Sequence, residues 1–202
     1  ATRAPEAMVD RAALEASPIE PADAARFLRG RRSVDQFRDT VPDPALVREA
    51  IEIARWAPNH HETQPWRFYL IGPRTQADIV ELNAALVAER KGDDVAATKR
   101  ERWRRVPGWL AVTCVRDDDP VTAQEDYGAC ACAIHNLSLY LHSAGVESKW
   151  TSGTVTRETR FLEMLGADPA REYCVGLIWY GYPKRRPRTQ RRDLGEIVFS
   201  CP

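Results

Sequence analysis

The segment YGACACAIHNLSLYLHSAGV, residues 127–146, constrains the fold of this chain more than any other stretch. Its helical part, 127–143, is apolar or small nearly all round, with Gly128, Ala129, Cys130, Ala131, Cys132 and Ala133 in succession. A helix without a polar face is buried on every side. One domain has few elements with which to enclose a helix completely, so a subunit interface is the easiest place to build it. The expectation is a homodimer. A membrane span competes, but His135, Asn136 and His142 interrupt the run, and a buried helix accounts for it better.

A chain of 202 residues suits one domain with a sizeable core. Lys plus Arg equals Asp plus Glu at 29 each, so no net field favours nucleic acid or a membrane, and neither is expected as a partner. The basic residues cluster in TKRERWRR (98–105) and KRRPRTQRR (184–192), for which a solvated charged face is the plain reading. Cys114, Cys130, Cys132 and Cys174 lie in apolar surroundings, and only Cys201 sits at a terminus. That pattern predicts reduced, buried cysteine and a cytoplasmic protein. Residues 1–18 lack the continuous apolar core of a secretory leader and read as an N-terminal arm, mobile or partly docked. Residues 19–202 read as a single domain.

Helices are predicted over 21–30, 43–57, 74–90, 95–105, 127–143 and 156–166, and strands over 66–71, 109–115, 147–150 and 172–182. Asp43–Pro44 forms a cap and first-turn pair, and Pro58 closes that helix. DDDP (117–120) ends the second strand, Glu125 and Asp126 lead into the 127 helix, and Thr156 caps the helix of 156–166. Strands separated by helices imply a layered α+β or α/β sheet.

RWAPNHHETQPWRFYLI (55–71) stops a helix, places two imidazoles and an amide in the gap, and then enters a strand. A metal site is not expected. Adjacent side chains on a helix or strand diverge, which separates His60 from His61 and, at two apart on a helix, Cys130 from Cys132. HHET is not HExxH, and a Cys132–His135 pair falls short of the three or four ligands zinc takes. No G-x-S-x-G elbow, Walker loop or G-x-G-x-x-G follows a strand, so a triad hydrolase and a Rossmann nucleotide site are unsupported. An anion site is better supported. GRRS (30–33) combines two guanidinium forks, a hydroxyl and backbone amides at a helix-to-coil junction, although cations satisfying a helix C-terminus would look the same. TSG (151–153) adds hydroxyls and a flexible backbone beside Trp150.

RRSVDQF (31–37), RWAPNHHETQPWRF (55–68), SKWTSG (148–153) and VGLIWYGYPKRRPRTQRRDLGEIV (175–198) together resemble the FMN-dependent nitroreductase family. The match is to the branch with a His two residues after Ala-Pro. The resemblance implies an α+β fold with a central mixed sheet flanked by helices and a long buried helix at a dimer interface, where FMN is held between subunits. Arg31, Arg32 and Ser33 match phosphate and ribityl contacts, and Arg191 of the tail matches a further phosphate contact. His60 matches the imidazole near the isoalloxazine. Trp150, Thr151, Ser152 and Gly153 match the loop that approaches the flavin, and Trp56 joins the cofactor set. Many relatives carry Asn where this chain has Glu62. The implied activity is ping-pong reduction of small nitroaromatic or quinone-like acceptors by NADH or NADPH. Flavin N5 would then do the chemistry without a catalytic side chain. The alternatives are a specialised flavin enzyme of the same fold (dehalogenase, dehydrogenase or flavin-processing) and a nucleic-acid-binding module using the basic tail.

Overall fold

The computed structural model describes residues 19–201. The expected arm at 1–18 lies outside the described residues. The chain divides between Gly30 and Arg31 into two compact units. The first contributes helix α1 (Pro21–Gly30), with Pro21 in its opening turn and an Arg26–Asp23 ion pair along its surface.

The second unit is built on four strands: β1 (Trp66–Leu70), β2 (Gly108–Val115), β3 (Glu147–Thr151) and β4 (Glu172–Gly181). Their order is β1-β2-β4-β3 and every neighbouring pair is antiparallel. The α+β class is as expected. The mixed sheet is corrected: the only parallel pairing among the described residues is an isolated bridge, Ser33 to Ser148. The alternation of strands and helices predicts parallel crossovers, and β2 and β3 do run parallel. β4 inserts between them and converts both contacts to antiparallel.

Alternation along the strands builds two cores. Leu110, Val112 and Cys114 of β2 and Ile178 and Tyr180 of β4 face helices α2 (Pro44–Ala54) and α5 (Pro120–Ser143). Trp109 and Ala111 with Leu177 and Trp179 face the other way, toward α3 (Pro73–Lys91), α4 (Asp93–Arg104) and α6 (Thr159–Leu165). Period-two side-chain direction is what allows one strand to serve both layers. On the second face Trp103, Trp109 and Trp179 pack with ring centroids 5.0–5.8 Å apart.

α2 starts as its sequence predicts, with the Asp43 carboxylate accepting from Ala45 N at 2.8 Å ahead of Pro44. α5 does not. It begins at Pro120, because Asp119 caps it through Thr122 N at 2.9 Å and Pro120 takes the first helical position. The helix thereby gains almost two turns over the predicted 127–143. α6 begins at Thr159, since Thr156 sits in a short 3-10 turn, Thr154–Arg157. α5 is also not enclosed on all sides by its own chain. Ala129, Cys130, Ala133, Ile134, Leu137 and Leu141 are buried, whereas Tyr127, Gly128, Cys132 and His135 on the opposite face are exposed. Cys132 is therefore not a core thiol. Among the described residues no helix is long and apolar enough to cross a membrane.

Candidate functional site

Residues 31–37 lie along the β3 edge of the sheet. Val34 N donates to Ser148 O at 3.1 Å, and Phe37 bridges Pro183. The organising group is Glu147, a carboxylate with no exposed surface. Its Oε1 meets His142 Nδ1 at 2.9 Å and Arg186 Nε at 3.0 Å, and its Oε2 accepts from Arg32 N at 3.4 Å. A buried carboxylate persists only with such partners. Here they are the end of α5, the basic tail and the Arg31–Ser33 segment. Arg32 Nη1 also donates to Arg31 O at 2.9 Å, and Ser33 stands exposed beside them. The result is a basic, hydroxyl-bearing strip held from beneath.

Trp150 and Thr151 continue that edge. Thr151 Oγ1 donates to Leu177 O at 3.0 Å. Trp150 Nε1 donates at 3.1 Å to the carbonyl of Val175, the residue left unpaired where the β2–β4 register shifts between Val112 and Thr113. Its indole lies over Gly176, where an added Cβ would come within 2.1 Å of Nε1. Ser152 and Gly153 follow, both exposed. Among the described residues Arg191 bonds only its neighbours, Thr189 Oγ1 at 2.7 Å and Gln190 O at 3.3 Å. Arg186 is tied to the Arg32 segment through Glu147, and Lys184 of the same tail donates its backbone N–H to Gln36 O at 2.9 Å.

The second cluster is the loop between α2 and β1. His61, Glu62 and Gln64 adopt φ of 56°, 52° and 47°, three non-glycine residues in the left-handed region within four positions. Such strain persists where surroundings impose it, and it concentrates at functional sites. Asn59 supplies the constraint, its amide donating to Thr63 Oγ1 at 3.0 Å and its Oδ1 accepting from Gln64 N at 2.6 Å. Thr63 in turn donates to the buried Asp126 of α5. The expected divergence of His60 and His61 fails because the left-handed turn at His61 brings the rings edge to face, centroids 3.9 Å apart. With Glu125 their donor atoms lie within 4.8 Å of one another, all exposed. Trp56, at the end of α2, is 74% exposed.

These clusters are far apart within one chain. The imidazole loop feeds β1 and the basic strip lies on β3, the two opposite edges of the sheet. The loop is anchored at Asp126 and the strip at His142, and about 24 Å of helix axis separates those residues of α5 at 1.5 Å per residue.

A hydrogen bond from Cys114, with burial, pushes Cys130 up, and burial pushes Cys174 up to about 12. Cys114 is held below the usual thiol range by its hydrogen bond with Cys130, but it is fully buried and so out of reach of a substrate. Sequence reasoning missed Glu147, Asp126, Asn59 and Arg186. Only the acid that opens the predicted strand at 147–150 was a signal for any of them.

A four-stranded antiparallel sheet between two helical layers, with a basic strip on one edge and a strained imidazole loop on the other, defines an α+β enzyme without a Rossmann nucleotide site. Residues 28–182 match the Nitroreductase family, and the chain belongs to that family of oxidoreductases. YfhC of Bacillus subtilis (strain 168), provisionally named an NAD(P)H nitroreductase, is 28% identical over 171 residues, covering 82% of this chain and 87% of that protein. The 5,6-dimethylbenzimidazole synthase of Rhodospirillum rubrum is 29% identical over 185 residues, covering 82% of this chain and 84% of that protein. A provisionally named nitroreductase from Desulfovibrio desulfuricans, crystallised in complex with FMN, superimposes with a TM-score of 0.72 at 25% identity, covering 92% of this chain and 99% of that one.

Proposed function

We propose that the protein is a cytoplasmic, homodimeric FMN enzyme that uses NADH or NADPH to reduce small nitroaromatic or quinone-like acceptors. The observation that carries this reading is the separation of the two clusters. A mononucleotide is too short to touch Arg32 and His60 of one chain. A two-fold partner laid against the exposed face of α5 runs its own helix the other way and brings its imidazole loop toward the first chain's basic strip. The exposed Tyr127, Gly128 and Cys132 on α5, and the exposed Leu194, Ile197, Val198 and Phe199 near the C-terminus, are apolar or small surface of the kind a partner covers.

The residues present fit FMN. Arg31, Arg32 and Ser33 are suited to a phosphate dianion and ribityl hydroxyls, with Arg186 as a nearby tail cation and Arg191 as the family-matched alternative. Glu147 anchors the strip through the backbone N–H of Arg32. The hydroxyl of Thr151 is spent on the sheet and the carbonyl of Gly153 on Thr156, which leaves the exposed Ser152 and the Gly153 N–H as the groups for a ring. Trp150 is locked by its hydrogen bond and the absence of a side chain at Gly176. When bound, FMN supplies two-electron transfer between nicotinamide and acceptor. His60 from the partner would lie against the ring system, positioned by a loop whose conformation is set before binding. Donor and acceptor would use this one face in turn, which accounts for a chain with no dinucleotide domain.

Intersubunit complementation tests the reading. Arg32→Ala and His60→Ala damage different halves of the same shared site, so subunit exchange between the inactive variants creates one intact site per mixed dimer. Recovery of about a quarter of wild-type activity is expected from random pairing. No recovery, with exchange verified by mass, refutes the shared site. Parallel lines in double-reciprocal kinetics test the ping-pong order. A second reading, a specialised enzyme that converts the flavin itself, draws support from the synthase relative. Recovery of unchanged FMN after many turnovers eliminates it.

A further inference from the structure

We propose that His60, His61 and Glu125 bind zinc and that the bound metal inhibits the enzyme by holding His60. The sequence argument against a metal was that adjacent side chains diverge, and the structure removes it. With φ of 56° at His61, the two rings meet edge to face with centroids 3.9 Å apart. Helix α5 brings them a third donor, and one ligand atom from each of the three residues lies within 4.8 Å of the others. Glu125 stands there because its neighbour Asp126 accepts from Thr63, which fixes α5 against this loop. Two imidazoles and a carboxylate are the donor set of an open zinc centre, with water in the fourth position. Zinc bonds of about 2.0–2.1 Å place tetrahedral ligand atoms about 3.3 Å apart. All three side chains are exposed, so rotation about their own torsions can close the remaining gap. Other exposed carboxylates are committed: Glu52, Glu81, Glu101 and Asp35 all pair with arginines. Among the described residues Glu125 has no ion pair, and neither imidazole bonds another side chain.

The metal site shares His60 with the flavin site, and that sharing is what makes it regulatory. His60 is the imidazole that the flavin reading lays against the ring system. Inhibition therefore rests on that reading, whereas zinc binding stands on the three side chains alone. Zinc ties His60 to Glu125 of its own chain and carries bound water into the space beside it. Donor and acceptor both need that space. Flavin itself should stay bound, because Arg31, Arg32 and Ser33 lie along β3, at the opposite edge of the sheet from the imidazole loop. Zinc-loaded protein is thus expected to keep its cofactor and lose turnover.

Calorimetric titration with zinc chloride tests the site, on flavin-bearing protein carrying Cys132→Ser and Cys201→Ser. Those substitutions remove the two exposed thiols, which are zinc ligands in their own right. One zinc per chain is expected, bound at least about tenfold more weakly in Glu125→Gln and in His61→Asn. Asn tolerates the left-handed conformation that His61 occupies, so that variant removes an imidazole and keeps the turn. Absence of saturable binding overturns the proposal, as does equal affinity in the parent and both variants. NADH or NADPH oxidation with one equivalent of zinc then tests the inhibition. Turnover should fall in the parent and hold in Glu125→Gln, with flavin absorbance unchanged in both. Equal inhibition of parent and Glu125→Gln overturns control through this site. If the protein carries no flavin, the inhibitory half falls with the flavin reading, and the titration still decides whether the three side chains bind zinc.

Discussion

At the scale of single residues, the chain invests most in Glu147. A fully buried carboxylate is held by His142, Arg186 and the Arg32 backbone, and removing it leaves those donors facing a void. Glu147→Ala should cost about 3 kcal/mol, read as a lower urea midpoint. Arg186 is half exposed, so its share of that loss is small. Glu147→Gln should retain the fold better, with flavin affinity falling further than stability does. Arg31→Ala or Arg32→Ala should weaken flavin binding by roughly ten- to a hundredfold with little change in thermal midpoint. An unchanged flavin dissociation constant in both would leave GRRS as a helix end. Gly176→Ala is a separate test of the Trp150 platform. The new methyl would occupy the place of the indole Nε1, so the ring must turn and release the Val175 carbonyl. A loss of about 1–3 kcal/mol is expected, with a change in tryptophan fluorescence.

At the scale of elements, α5 organises the protein. Its N-terminal half anchors the imidazole loop through Asp126, and its C-terminal end anchors the basic strip through His142. Its start depends on Asp119, whose carboxyl is held below the usual range chiefly by the Thr122 backbone N–H. A carboxylate with a depressed folded-state pKa contributes stability above its unfolded value of about 3.9, lost as pH falls through the lower folded value. Asp119→Ala should thus be less stable than wild type at neutral pH, and the gap should narrow as pH falls below about 4. Denaturant titrations at pH 7 and pH 3 would show it. In the proposed dimer the outer face of the same helix separates folding from assembly. Ala133 is fully buried in its own chain, so an arginine there would unfold the monomer. Gly128 has nothing within 4 Å of an added Cβ, so Gly128→Arg should leave the chain folded while costing both dimer and flavin.

For the whole molecule, a site shared between subunits makes flavin occupancy depend on protein concentration. Stable homodimers bury more than about 2,000 Å², and dilution below the dimer dissociation constant should release FMN and lower the thermal midpoint together. Sedimentation at micromolar concentration gives the direct answer: a folded, flavin-loaded species at monomer mass would refute the arrangement.

Local chemistry was legible in the sequence wherever neighbours along the chain decide it. Asp43–Pro44 announces the start of α2, the apolar run 109–115 announces a strand buried on both faces, and RRS with Ala-Pro and Gln-Pro-Trp announces the family. The same local rules, read less carefully, also held the start of α5 in Asp119–Pro120. What sequence did not contain is which strand fills the gap between β2 and β3, which face of α5 its own chain covers, and which acid the Arg32 amide meets. Glu147 lies 115 positions from Arg32, and Asp126 lies 63 from Thr63. No periodicity spans such separations. Even the two histidines, adjacent in sequence, meet only because Asn59, Thr63 and Asp126 hold His61 in a backbone conformation its own side chain disfavours. Side-chain type sets which interactions are available, and packing of distant segments against the sheet decides which of them form.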